Sequence, residues 1–248
     1  MTGDEMLEVL DAAATAVRQA LDGLADWGLA GTRPGQYRSD LVADAAALEV
    51  LHGAGLGVLS EESGLTEEGR DVLVVLDPVD GSTNASRGLP WFASSLCALD
   101  ADGPLASVVV NQATDEHFSA VRGRGACRNG DLTGPTTCRS LSDALVGLNG
   151  IPGTHLGWRQ ARALGAVALD LCAVACGHLD AYVDCSRSAH GPWDYLGALL
   201  VCREAGALVV DAEGRELVSS DPRTRRSPVA AATSELLAQA AAARNRLP

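Results

Sequence analysis

Residues 72–84, VLVVLDPVDGSTN, pass from an unbroken apolar, mostly β-branched run into two acids, a proline, a glycine and three small polar residues. Residues 72–76 predict a strand buried on both faces, because a strand with one wet face would alternate. Pro78 has no backbone donor and fixes φ, so the chain is expected to turn after Asp77. Gly81 permits a close or left-handed backbone approach. If a short helix begins at GSTN, its free amides and positive dipole end face the same place as Asp77 and Asp80, giving a combined cation and phosphate site. Hard carboxylate oxygens suit Mg2+ better than zinc. Two acids in a turn remain a weak signal, since Asp-Pro and Asp-Gly are ordinary turn formers.

Around this strand the pattern alternates. Residues 4–26 carry apolar side chains at three- and four-residue steps and predict an amphipathic helix. A second helix fits 40–53, with Asp40 as its N-cap. GVLSEESG predicts a short strand and turn, and further strands fit 92–99 and 105–111, with SAVRGRGACRNG closing a hairpin. From about residue 133 the expected order is strand (ALVGLNG), helix over 157–177, strand (DAYVD), helix over 193–205, strand (ALVVDAEG) and a terminal helix over 229–243. This order suits an α/β chain in two halves, 1–133 with most of the candidate ligands and 134–248 with the rest.

Composition narrows the function. A formal net charge of −13 disfavours a sequence-independent grip on a nucleic-acid polymer or an anionic membrane, both of which need a basic surface. No apolar run reaches the ~18 residues of a spanning helix and no secretory leader is evident, so a cytoplasmic protein is expected. The seven cysteines include no CxxC pair and suit small reduced core residues. All 19 basic residues are arginine, which removes any lysine from the chemistry.

Two further acidic segments join DPVDGSTN. SEESG places Glu61 and Glu62 side by side at the end of a short strand, where they repel unless solvated or neutralised. PWDYLGALLVCREAGA presents Asp194 beside a tryptophan at the start of an apolar helix. In order and context these segments resemble the signature of the inositol monophosphatase superfamily. DPVDGSTN is similar to its Asp-Pro-(Ile/Leu/Val)-Asp-Gly-Thr-x-Asn, SEESG to its Glu-Glu pair, WDYLGALLVCREAGALVVD to its Trp-Asp segment and DLVADAA to its Asp-x-Val-Thr-x-x-Asp. RALGAVALDLCAVACGHLDAYVD extends the resemblance over nearly the whole chain.

The resemblance implies a layered α/β/α/β/α sandwich of the inositol monophosphatase and fructose-1,6-bisphosphatase type, and a lithium-sensitive phosphomonoesterase using two or three Mg2+ ions. It implies that Glu61, Asp77 and the Val79 carbonyl hold one ion, and that Asp77, Asp80 and Asp194 hold another. Glu62 would orient a water on a third ion, and the Gly81 and Ser82 amides would bind phosphate. Gly165, Ala166 and Val167 would line the pocket floor, and Arg187 would take the place of a substrate-contacting acid and favour a more anionic substrate. A small phosphorylated metabolite and a homodimer are the implied partners. The substrate is expected to be a sugar, polyol or cyclitol phosphate, with a sugar bisphosphate, a nucleotide 3′-phosphate or histidinol phosphate as alternatives, and a non-catalytic ligand-binding relative as the contrasting case.

Three departures bear on the nucleophile. Ser82 replaces the family threonine, Ala46 replaces the aspartate that partners it, and Gln36 stands where a lysine is common. Arg38 is the nearby candidate to supply the missing positive charge. Asp44 cannot stand in for the acid at 46, because residues two apart on a helix face different ways.

Overall fold

The computed structural model describes residues 1–186 and 190–247. Two helices, α1 (Gly3–Asp22) and α2 (Arg38–Gly53), precede β1 (Gly57–Ser60), β2 (Gly64–Thr66) and β3 (Leu73–Asp80). A short helix α3 (Ser82–Ser86) separates these from β4 (Ala93–Asp100), β5 (Gly103–Asn111), β6 (His117–Val121), β7 (Ala126–Arg128) and β8 (Asp131–Leu132). There follow β9 (Leu145–Asn149), β10 (Gln160–Arg162), α4 (Val167–Ala175), β11 (Ala181–Asp184), α5 (Pro192–Ala205), β12 (Leu208–Asp211), β13 (Pro228–Ala231) and α6 (Ser234–Arg244).

The strands form two sheets, in the orders β2-β1-β3-β4-β5-β6-β7-β8 and β10-β9-β11-β13-β12. Helices α1 and α2 pack together on one face of the larger sheet, and α5, with α4 beside it, covers the other. The smaller sheet lies over α4 and α5, and α6 closes its far side against β11 and β13. The layers therefore run α/β/α/β/α, as the motifs implied. The larger sheet draws all its strands from residues before 133, yet α5 from the later stretch packs on it, so the two stretches share the middle layer.

Close approach of α5 to the sheet depends on Gly197, where an added Cβ would stand 2.5 Å from Ser95 Oγ and 3.2 Å from Val109 Cγ2. Leu196 and Leu199 then bury fully in a central core with Leu169, Leu171 and Tyr182, each such side chain contributing about 1.5–3 kcal/mol. This packing fixes Asp194, on the first turn of α5, relative to β3.

Several local expectations give way to long-range pairing. The segment 157–177 is not one helix: residues 160–162 pair in parallel with β9, Gly165 takes φ 89°, and α4 begins only at Val167. The alanine-rich stretch from 229 begins as a strand between β11 and β12, and α6 starts at Ser234 behind the Thr233 cap. Alanine's helix preference, a few tenths of a kcal/mol per residue, yields there to a full set of ladder hydrogen bonds. Tyr37 rather than Asp40 caps α2, and Asp40 sits one turn in, accepting the Tyr37 amide at 2.8 Å.

Candidate active site

The chain does not turn after Asp77. Strand β3 continues to Asp80 through a bulge, with Asp77 opposite Ser95 and Asp80 opposite Ala93, so three steps on β3 match two on β4. In a regular strand residues three apart point to opposite faces; the extra residue restores even parity and turns both carboxylates to one side. Pro78 removes a ladder donor where the bulge needs none, its carbonyl accepts Ser94 Oγ at 2.8 Å, and Asp77 Oδ1 accepts the Val79 amide at 3.0 Å. Gly81 then enters α3 with φ 88°, and a Cβ there would meet Trp91 O at 3.0 Å, Ala166 Cβ at 3.1 Å and Gly165 O at 3.2 Å. Only glycine satisfies both the dihedral and the crowding.

Glu61 follows the end of β1, hydrogen-bonded in parallel to β3, and Asp194 comes from α5. Glu61, Asp77 and Asp194 each offer a carboxylate oxygen, all within 4.8 Å of one another. Burial, together with the charges of Asp194, Glu62 and Asp40, pushes Glu61 up to about 8. Burial, then Glu61, Asp80 and Asp194, hold Asp77 well above the carboxylate range. Asp80 is raised by burial and by Asp194, although the Ala168 amide at the start of α4 donates to its Oδ2 at 2.7 Å. Such a cluster is stable only with protons or a cation inside it. Its oxygen-only donor set fits a hard divalent ion, and these residues therefore fit the group that the motifs imply.

In front of the acids lies a cleft of about 510 Å3 lined by Arg33, Gln36, Asp40, Glu61, Glu62, Ser82, Trp193 and Arg225 among others. Burial, the largest influence, raises Asp40 to about 6. Behind Asp80 a smaller cavity of about 80 Å3 is lined by Gly165, Ala166, Val167, Asn149, Asp170, Tyr182 and His190. The three expected floor residues thus lie beside Asp80 rather than in the open cleft. Burial raises Asp170 to about 7 although Trp91 Nε1 donates to it at 2.9 Å. His190 stands between Asp194 at 3.4 Å and Asp184 at 3.8 Å, within 3.2 Å of Asn149 and 3.3 Å of the Tyr182 hydroxyl. Burial opposes its charge, but Asp194, Asp184 and Asp80 outweigh this and raise its pKa.

Arg187 lies outside the described residues. Arg38, the candidate for the charge missing at Gln36, pairs instead with Asp26 at 2.8 Å, and the cation that meets the acids is Arg33, whose Nη2 donates to Glu62 Oε2 together with Gln36 Nε2. Asp44 does not replace the missing acid at Ala46. It accepts Ser60 Oγ at 2.5 Å, and Ser60 Oγ in turn accepts the Glu62 amide at 3.1 Å, so Asp44 braces the acidic loop from behind. Nothing local in the sequence marks Arg33, Arg225 or Asp170; for Asp184 the one local signal is an acid at the end of the strand DAYVD.

The family profile described as "Inositol monophosphatase family" matches residues 40–247. This chain belongs to the inositol monophosphatase family. It is 33% identical over 202 residues to a fructose-1,6-bisphosphatase of Pyrococcus furiosus, covering 80% of this chain and 78% of that one. It is 36% identical over 180 residues to a Nus factor SuhB of Pseudomonas aeruginosa, covering 63% and 64%. The solved inositol monophosphatase of Anabaena superposes with TM-score 0.82 at 25% identity, over 99% of this chain and 97% of that one. Phosphatases, which are hydrolases, define the family, and this member is an enzyme of that class. Among the described residues no helix is long and apolar enough to cross a membrane.

Proposed function

We propose that this chain is a Mg2+-dependent phosphomonoesterase acting on a small sugar, polyol or cyclitol phosphate. The observation that carries the reading is the convergence of Glu61, Asp77 and Asp194 within 4.8 Å, with Asp80 buried beside them at the mouth of α3. Glu61 and Asp77 with the Val79 carbonyl would hold one ion, and Asp77, Asp80 and Asp194 the other. Bound there, Mg2+ supplies neutralisation of phosphoryl oxygens and acidification of a water.

The protein's own groups do the remaining work. The Gly81 and Ser82 amides at the opening of α3, where no side chain caps the helix, would receive the phosphate. The Ser82 hydroxyl and Glu62 orient the attacking water, and Glu62 is fixed for this by Arg33, Gln36 and the Asp44–Ser60 brace. With Ala46 unable to polarise Ser82, turnover slower than in relatives with the intact pair is expected. Small metabolites, rather than a nucleic-acid polymer, suit a chain of charge −13. A cytoplasmic homodimer inhibited by Li+ completes the proposal, on family membership.

A phosphate-release panel with and without Mg2+ tests this. Wild type is expected to hydrolyse at least one small phosphate monoester, and Asp80→Asn to lose that activity while keeping its circular dichroism. Equal inactivity of both across a broad panel sinks the proposal.

A second reading, a substrate with a further phosphate or carboxylate, is favoured by Arg225. Its guanidinium stacks 5.2 Å above the Trp193 ring at the cleft wall and bonds only carbonyl oxygens, of Pro222 and Thr224, among the described residues. On this reading Arg225→Ala raises KM for a bisphosphate about tenfold, the worth of one exposed charge-assisted contact, and leaves KM for a polyol monophosphate with no second anionic group unchanged. Equal effects on both substrates refute it.

A further inference from the structure

We propose that the Arg33 guanidinium permanently occupies the cation position beside Glu62, so that this enzyme holds two divalent ions where its family pattern implies up to three. The inference rests on the metal-dependent reading above and concerns only the outermost ion.

Glu62 is already neutralised. Its Oε2 accepts from both Arg33 Nη2 and Gln36 Nε2, and its side chain is 5% exposed against 45% for Arg33, so the guanidinium caps the carboxylate from the solvent side. The same Nη2 reaches the Glu61 carbonyl oxygen at 3.3 Å, spanning the two acids of SEESG. Both partners are held in place. The loop carrying Arg33 is closed by Ala30 N to Gln36 O at 2.8 Å, and Thr32 Oγ1 donates to Gln36 Oε1, which aims the Gln36 amide nitrogen at Glu62. On the other side the Glu62 amide is tied to Ser60 and through it to Asp44.

A divalent ion at Glu62 would have to displace this guanidinium or bind within a few ångströms of it, and like charges that close repel strongly. Ala46 and Ala43 bring no further carboxylate to this side of the cleft, and the charge of Arg33 already acts on Asp40 and Glu61 as well as on Glu62, whereas among the described residues no guanidinium hydrogen-bonds the inner carboxylates Asp77, Asp80 and Asp194. Divalent ions satisfy that inner group, and Arg33 satisfies Glu62.

The test is direct counting of Mn2+ on the full-length chain by electron paramagnetic resonance of the free ion, with isothermal titration calorimetry alongside. Wild type is expected to bind about two ions per chain, and Arg33→Ala and Arg33→Gln about three, the added one depending on Glu62. Arg33→Lys, which keeps the charge, and Glu62→Gln are expected to remain at about two. The proposal is overturned if wild type binds three, or if both neutral Arg33 variants, folded by circular dichroism, remain at two. Binding of no ion by the wild type overturns the metal-dependent reading itself, a result distinct from a count of three.

Discussion

Removing divalent metal should convert the acidic cluster into a pH-dependent weak point. Glu61 ordinarily titrates near 4.5 and is pushed to about 8 in the fold, so its ionised form is penalised there. For an acid raised in this way, the folded state binds the proton more tightly than the unfolded chain does. Its stability is therefore fully present below pH 4.5 and is lost progressively until pH 8. Between pH 5.5 and pH 8.0 the loss from Glu61 alone is about 3 kcal/mol, at 1.36 kcal/mol per pH step. Asp77 and Asp80, also raised by burial and by one another's neighbours, act in the same direction. For a chain of this size about 3 kcal/mol corresponds to a fall in Tm of about 6–12 °C. The window starts above the range in which exposed paired acids such as Asp100 and Asp221, both lowered by arginine partners, take up protons. Thermal melts by circular dichroism in EDTA and in Mg2+ would measure it. The EDTA series should fall from pH 5.5 to 8.0, and Mg2+, which replaces the protons, should raise Tm far more at pH 8.0 than at pH 5.5. A Tm in EDTA that is flat or rising, or an equal Mg2+ effect at both ends, would refute the account of the cluster.

Gly81→Ala forces a side chain into φ 88° and against Trp91 O and Ala166, and should cost about 1–3 kcal/mol in a urea titration while abolishing phosphate release, since the turn that carries Ser82 must move. Asp44→Ala leaves the buried Ser60 hydroxyl without its acceptor and should cost about 1–3 kcal/mol and lower kcat, with Asp44→Asn restoring most of both; unchanged kcat in Asp44→Ala would show that the brace does not serve Glu62.

Much of the site was written locally. A buried apolar run ending in DPVDG puts two acids near the end of one strand, and Trp-Asp after Gly-Pro places Asp194 on the first turn of a helix, since Pro192 suits the first helical position. Those segments, in their order, were also enough to imply the family and its layers. Elements whose partners lie far away in sequence were not legible. Residues 229–231 have a helical composition and became a strand because two neighbouring strands supply their hydrogen bonds. The positive charge missing at Gln36 was sought at Arg38 by proximity along the chain, but the loop that brings Arg33 to Glu62 across 29 residues has no periodic signal.

By itself, then, the sequence named Glu61, Glu62, Asp77, Asp80, Asp194 and Gly81 as candidates, because the motifs that hold them resemble, in order and spacing, those of the family. The tertiary structure alone decided that Asp77 and Asp80 share a face, which depends on how β4 pairs around the bulge, and that Glu62 meets a guanidinium, which depends on a loop folding over from the far end of α2. Both are matters of parity and long-range contact, and neither is encoded in any short stretch of chain.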